Sequence, residues 1–307
     1  MAFEGLRVLD VSSTLAGAYA ARLFGDFGAE VVLVEAQDMG HVVRNEPPFV
    51  GDVVSGERSI LHGTVNWNKR SVLGRDLVVV RSLAVHADVL VTSEAKPWSV
   101  VTATAVANLQ SSAIHLSVTP HGLEGPSAGL PSNSLTACAQ TGWCKINGVL
   151  DAPPLQLPVR LADYIAGIAA FVGAAAALRR GSAETVDVSG VEALATTIAP
   201  WAKSLEFEGV QPGKYNGNCQ FGGVRRSNGV GPLLYPTSDG MMNFGVGDWV
   251  MWDKAMQFLG VDEMVNSEFS STWGRYSKDL RPVIKAVGTA SVHRKKWELF
   301  QGLMGLR

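Results

Sequence analysis

Cysteine is scarce. Cys138, Cys144 and Cys219 are the only three in 307 residues, and no two lie close together. An odd, scattered set gives no disulfide framework and suits a protein kept reduced in the cytoplasm. Charge of either sign is equally unremarkable: 26 Lys and Arg stand against 28 Asp and Glu, for a net of -2. No Lys/Arg run occurs, so neither nucleic acid nor a membrane surface is expected as a partner. The opening Met1-Ala2-Phe3-Glu4-Gly5-Leu6-Arg7 has an early acid and no apolar stretch, which excludes a signal peptide. The longest apolar run, residues 165–178, falls short of the about 20 residues that span a bilayer. Internal repeats and low-complexity tails are also missing, and no resident metal or cofactor is expected.

What is present describes an α/β protein with a large core and many tight turns. The chain is 47% hydrophobic and 18% charged and has 33 glycines. Its length suits one large domain or two modest ones. Residues 6–11 predict a buried strand, Ser12, Ser13 and Thr14 are helix N-cap candidates, residues 16–27 predict a helix and residues 29–35 the next strand. This βαβ unit is the building block of a parallel sheet. The turn Ser12-Ser13-Thr14-Leu15-Ala16-Gly17-Ala18 contains no G-x-G-x-x-G. A pyrophosphate would lack its close backbone approach there, so a nicotinamide or flavin with Glu35 on its ribose is not expected. Residues 86–91, 113–118 and 185–189 predict further strands, and residues 135–142 and 191–202 predict helices. Cys138 falls on the first of these and reads as a core residue.

The stretch 158–189 organises the rest. Asp163 opens a long Ala/Gly-rich run, and Arg179, Arg180 and Gly181 end it. That is a helix with an acid in its first turn, cations in its last and a glycine stop. Its small residues predict close packing and burial. Asp163 reads either as a helix cap or as a functional carboxylate beside a dry core. Earlier, Lys69-Arg70 between turn residues and a strand reads as a phosphate-holding pair or as a solvated loop. The character changes near residue 200. We expect a large domain over 1–199, a Gly-rich linker over 200–227 and a smaller α/β domain over 228–307. Asp239-Gly240 marks a turn before a strand over 241–246. Residues 248–259 are amphipathic, and Trp249, Trp252, Met256 and Leu259 read as core. Helices are expected around 280–287 and 291–303.

These blocks together resemble class III CoA-transferases, the superfamily that also includes α-methylacyl-CoA racemases. The resemblance rests on residues 6–10, 15–20 and 24–35, and on Asn66-Trp67-Asn68-Lys69-Arg70-Ser71. It continues through strand 86–91, Gly122-Leu123-Glu124-Gly125-Pro126-Ser127-Ala128, Leu161-Ala162-Asp163 with Val186-Asp187-Val188-Ser189, and residues 232–240 with Trp252. It implies a Rossmann-like, CoA-binding large domain with a parallel sheet and a smaller α/β domain, in a homodimer whose chains interlock. It implies Asp163 as the catalytic carboxylate. Lys69 and Arg70 would contact CoA phosphates, while Leu15 and Ala16 would line the ligand by backbone. CoA would come and go as a thioester substrate, and the partners would be an acyl-CoA and a small carboxylic acid.

Three departures accompany the resemblance. The family usually continues roughly 80 to 100 residues beyond the point matching Arg307, so the small domain is expected to be incomplete. Thr92-Ser93-Glu94-Ala95-Lys96-Pro97 replaces the usual E-N-F-R-P-G, and Ala162 stands where many transferases have Gly. A racemase needs a second acid/base group seven residues after the turn proline, Pro126. Asn133 stands there, and an amide cannot shuttle a proton. A single carboxylate suits CoA transfer through mixed anhydrides and an aspartyl-CoA thioester. Racemisation and a non-catalytic CoA-binding role are the alternatives. The glycine-rich residues 217–223 read either as a cover over the site or as a plain linker.

Overall fold

A computed structural model describes residues 1–35, 40–94, 99–147, 153–199, 206, 214–215, 218–219, 233–244, 251–271 and 281–306. Contacts divide the chain into two compact units, Met1–Thr141 with Gln156–Thr197, and Gly142–Leu155 with Ile198–Arg307. The expected boundary near 200 places Gly142–Leu155 in the first unit; its contacts group it with the second.

The first unit alternates strand and helix. In chain order it contains β1 (Arg7–Asp10), α1 (Leu15–Asp26), β2 (Glu30–Glu35), α2 (Ile60–Asn66), β3 (Arg70–Leu73) and α3 (Leu77–His86). Then come β4 (Val89–Thr92), α4 (Val100–Asn108), β5 (Ile114–Thr119) and α5 (Ser134–Gln140). After α6 (Trp143–Ile146), which belongs to the second unit, follow α7 (Leu161–Arg180), β6 (Thr185–Ser189) and α8 (Gly190–Thr196). The six strands form one parallel sheet in the order β3-β2-β1-β4-β5-β6. Strand order reverses between β1 and β4, and open sheets of this kind take ligands outside the carboxyl ends of the strands near such a reversal.

Both faces of the sheet are covered, which explains the unbroken aliphatic runs of β2 and β4. On one face Ala20, Ala21 and Phe24 of α1 and Ala166, Ala170 and Ala174 of α7 pack on Val31, Val89, Ile114 and Leu116. On the other, Val80 and Ala84 of α3 and Ala105 of α4 pack on Leu9, Val34 and Leu90. The small residues of α7 let α1 approach closely: a Cβ on Gly167 would lie 2.8 Å from the Ala16 carbonyl oxygen.

Three sequence expectations are corrected here. The helix α7 is buried only along its alanine face; Ile168 and Val172, on the other side, are 47% and 57% exposed. With its leading turn the helix covers Pro158–Arg180, long and apolar enough by length and composition to cross a membrane, because helical turns flank the uncharged run at both ends. Its alanine face lies on the sheet, as a core helix does. Third, residues 86–91 are not one strand. The helix α3 extends to His86 and the strand starts at Val89. Asp76 starts that helix by accepting from the Val78 and Val79 N–H groups at 3.1 and 3.2 Å, and packing holds a valine run helical against its propensity.

The second unit also holds the two-residue pair β7 (Lys214–Tyr215) and β8 (Asn218–Cys219), the hairpin β9 (Leu233–Thr237) and β10 (Gly240–Phe244), and helices α9 (Trp252–Leu259), α10 (Arg281–Ser291) and α11 (Lys296–Met304). The aromatic stripe is core, as expected. Trp252, Met256 and Leu259 pack with Tyr235, Val283, Val287 and Leu299, and the Trp252 Nε1–H donates to the Met264 carbonyl at 2.9 Å. Trp249, residues 95–98 and, apart from β8, the glycine-rich stretch 217–223 lie outside the described residues.

Candidate active site

At the carboxyl edge of the sheet the first unit forms a half-open cavity of about 190 Å³. The β1–α1 turn supplies one wall with Leu15 and Ala16, and the ends of β5 and the starts of α5 and α7 supply the others. The turn is built tightly. Thr14 caps α1 by accepting from the Gly17 N–H at 3.2 Å. A Cβ at position 17 would lie 2.4 Å from Ser12 Cβ, so only glycine fits. Ser13 is tied across the strand reversal, its N–H donating to Ser93 Oγ at 2.7 Å.

The wall at α7 is unusual. Val159 and Arg160 both have left-handed backbone, at φ 50° and 56°. That region is unfavourable for any residue with a Cβ and most so for a β-branched one, and such strain concentrates at functional sites. Arg160 is the N-cap residue yet makes no side-chain cap. Its Nε–H donates instead to Asp163 Oδ2 at 3.0 Å, and its Nη1–H to Glu46 Oε2. Burial acts to lower the Arg160 pKa, but the bonds to Glu46 and Asp163 outweigh it and raise it, so the guanidinium is a fixed cation. Asp163 is the third residue of the helix, at the positive end of the helix dipole. Its side chain is 17% exposed and lines the cavity shared with Leu15 and Ala16. It does not cap the helix.

Lys69 and Arg70 do not join this group. The Lys69 side chain is 1% exposed, and its ammonium donates to Asp10 Oδ2, the Ala18 carbonyl and Asn66 Oδ1, each at 2.7 Å. With three donors and three internal partners, it has none left for a phosphate. Lys69 is therefore corrected from phosphate contact to core counter-ion. Arg70 opens the edge strand β3 opposite Val32, exposed and outside the cavity lining. The rest of the block is also scaffold. Asn68 Nδ2 donates to Asp26 Oδ1 at 2.7 Å and to the Arg22 carbonyl at 3.1 Å, and Ser71 Oγ donates to Glu35.

Glu35 cannot read a ribose. Its carboxylate accepts from Arg44 Nε at 2.6 Å, Arg44 Nη2 at 2.9 Å, the His41 N–H at 2.8 Å and Ser71. Hydrogen bonds from Arg44 lead the causes that hold it down at about 2. Asn133 is the N-cap of α5, accepting from the Thr136 N–H at 3.0 Å, and among the described residues no histidine lines the cavity. Sequence reasoning missed Arg160, Glu46, Thr119 and Ser134 at this site. Only the i, i+3 spacing of Arg160 and Asp163 signals any of them.

The fold and site define a doubly wound α/β protein with two carboxylates, Asp163 and Glu46, sharing one guanidinium in a cavity at the sheet's carboxyl edge. The chain belongs to CoA-transferase family III, whose family model matches residues 3–304. It is similar to the succinate–glutarate CoA-transferase of Agrobacterium fabrum, at 26% identity over 289 residues, covering 88% of this chain and 69% of the relative. It is also similar to the succinyl-CoA:(R)-benzylsuccinate CoA-transferase subunit BbsE of Thauera aromatica, at 28% over 285 residues, covering 85% and 65%. The chain thus spans about two thirds of these relatives' length. Its fold matches a CaiB/BaiF family protein from Brucella suis with a TM-score of 0.78 at 22% identity, over 99% of this chain and 82% of that one.

Proposed function

We propose that this chain moves CoA between carboxylic acids, with Asp163 as the covalent nucleophile and short dicarboxylic acids as the acids exchanged. The observation that carries the reading is the Asp163 carboxylate, largely shielded, in a cavity shared with the first βα turn. The choice of acid is supported by the relatives, which are named for succinate, glutarate and benzylsuccinate.

A carboxylate is a weak nucleophile, so rate must come from positioning, which can supply roughly 7–11 kcal/mol, and from excluding water. In the reaction, an Asp163 oxygen attacks the thioester carbonyl and CoA thiolate leaves, forming a mixed anhydride. The thiolate then attacks the aspartyl carbonyl, giving an aspartyl-CoA thioester and releasing the first acid. The acceptor carboxylate attacks that thioester, thiolate leaves again, and its return to the acceptor's carbonyl yields the new acyl-CoA and free Asp163. Racemisation is the weaker reading, because Asn133 is committed to capping and no histidine among the described residues lines the cavity.

The test is incubation with succinyl-CoA, trapping with hydroxylamine, and peptide mass mapping. We expect a hydroxamate on Asp163 and, in Asp163→Asn, loss of both adduct and transfer. Transfer that survives in Asp163→Asn would overturn the reading.

A further inference from the structure

Two features of the cavity bear on what it binds. Thr119 Oγ1 and Ser134 Oγ both belong to residues lining it, 3% and 7% exposed, and neither hydroxyl finds a partner among the described residues. Buried hydroxyls are normally paired, so two orphans on one cavity point to a ligand oxygen. The second feature is the sharing of one guanidinium, Arg160, by two carboxylates, Asp163 and Glu46. The trio carries excess negative charge while Asp163 is ionised. Converting Asp163 to a thioester removes that charge and leaves the Arg160 Nε–H without its partner, while Glu46 still anchors the guanidinium.

Resting on the transfer reading above, we propose that this cavity is the acceptor-acid subsite. Arg160 exchanges Asp163 for the reacting carboxylate of the incoming acid, and the Thr119 and Ser134 hydroxyls hold its second carboxylate. The exchange is ordered by the chemistry. Before acylation Asp163 occupies Arg160 and repels an acid; after acylation the acid replaces it at the same guanidinium. Attack then joins the acid's oxygen to the aspartyl carbonyl and releases thiolate, so the negative charge passes from carboxylate to sulfur and no proton moves. On completion Asp163 recovers its carboxylate and its bond to Arg160, which expels the product's contacts.

The test needs binding rather than turnover. Asp163→Asn imitates the neutral, acylated state, and calorimetry with succinate and with butyrate reads the subsite. A charge-assisted hydrogen bond is commonly worth about tenfold to hundredfold in affinity, so Asp163→Asn should bind succinate at least about tenfold more tightly than the native chain. Adding Arg160→Gly, which suits the left-handed backbone at that position, should abolish the gain for both acids while CoA affinity stays unchanged. Adding Thr119→Val and Ser134→Ala should remove the preference for succinate over butyrate and leave butyrate binding as it was. No gain in Asp163→Asn, or a gain that survives Arg160→Gly, overturns the exchange. A succinate preference that survives loss of both hydroxyls overturns their role. Failure of the transfer reading shows separately, as no hydroxamate in the native chain.

Discussion

Replacing Lys69 by Met separates a core ion pair from a phosphate contact. The Lys69 ammonium is inside the protein, and Asp10, its partner, is fully buried. Removing the lysine leaves a buried carboxylate with only Ser12 Oγ–H at 2.6 Å and the Ser12 N–H at 3.0 Å. Breaking a buried pair from one side costs about 3–5 kcal/mol. For a cooperative unit of roughly 150–250 residues each kcal/mol moves Tm by about 2–4 °C, so Lys69→Met should melt about 6–20 °C below the native chain. Methionine keeps most of the stem's packing, so the loss reports on the charge.

The pH dependence sharpens the prediction. Burial raises the Asp10 pKa, but Lys69 and its hydrogen bond outweigh that and hold it below its ordinary 3.8. In the native chain Asp10 therefore contributes stability above 3.8 that is lost as pH falls through its lower folded value. Without Lys69, burial is opposed only by His41 and the Ser12 bonds, so the carboxyl takes up its proton more readily and the gap between variant and native chain narrows as pH falls. Scanning calorimetry between pH 7 and 4 measures both effects, and Arg70→Met, at an exposed position, should stay within about 0.5 kcal/mol of the native chain. A Lys69→Met protein that melts within about 2 °C of the native chain but binds CoA at least about tenfold more weakly would refute the counter-ion assignment and restore the phosphate contact.

Other consequences follow from the same unit. Burial, with Arg44 adding to it, pushes His62 down to about 4, so stability should be full above 6.5 and fall as pH drops toward 4; His62→Asn should flatten that limb of a Tm-against-pH curve. Glu35, held at about 2 chiefly by Arg44, adds a second loss between its ordinary 4.5 and 2, which Arg44→Met should abolish in acid-unfolding titrations. At Gly167 an added methyl meets the Ala16 carbonyl oxygen at 2.8 Å; overpacking of about 1–3 kcal/mol should exceed the roughly 1 kcal/mol gained in helix propensity, and urea unfolding of Gly167→Ala should show a net loss. Val159→Gly should gain about 0.5–1 kcal/mol by the same measurement, since the left-handed backbone strains valine and its side chain is 78% exposed.

The sheet was readable because aliphatic runs of strand length alternate with small-residue helices, and Thr14, Gly17 and Gly181 punctuate them where the chain turns. The failure at α3 has a local cause. Leu77-Val78-Val79-Val80 is strand-like in composition, and the one helix signal, Asp76 as N-cap, is a single residue. Asp163 stands alone at the head of a long apolar helix, which made it a candidate from sequence, and it lines the cavity. Lys69 was misassigned because a lysine beside an arginine looks alike whether it faces solvent or a buried aspartate 59 positions away. Thr119 and Ser134 carry no local signal at all. One ends β5 and the other starts α5, and only the closure of the sheet's carboxyl edge brings both hydroxyls to one cavity.

The start of α7 departs from helix rules in a way that fits its chemistry. An N-cap residue is ordinarily extended, and its short polar side chain accepts from the first-turn N–H groups, a bond worth about 0.5–2 kcal/mol. Here the N-cap is left-handed, carries a long cation, and caps nothing. The helix forgoes that bond and carries strain at two consecutive residues. In exchange, the positive end of a 20-residue helix and a guanidinium border the cavity that Asp163 lines. A neutral capping residue at position 160 would stabilise the helix, and under the proposed reaction it would leave no cation to receive the acceptor's carboxylate once Asp163 is esterified. Local rules are broken at this end of the helix, where the proposed reaction would need a counter-ion for each of its halves.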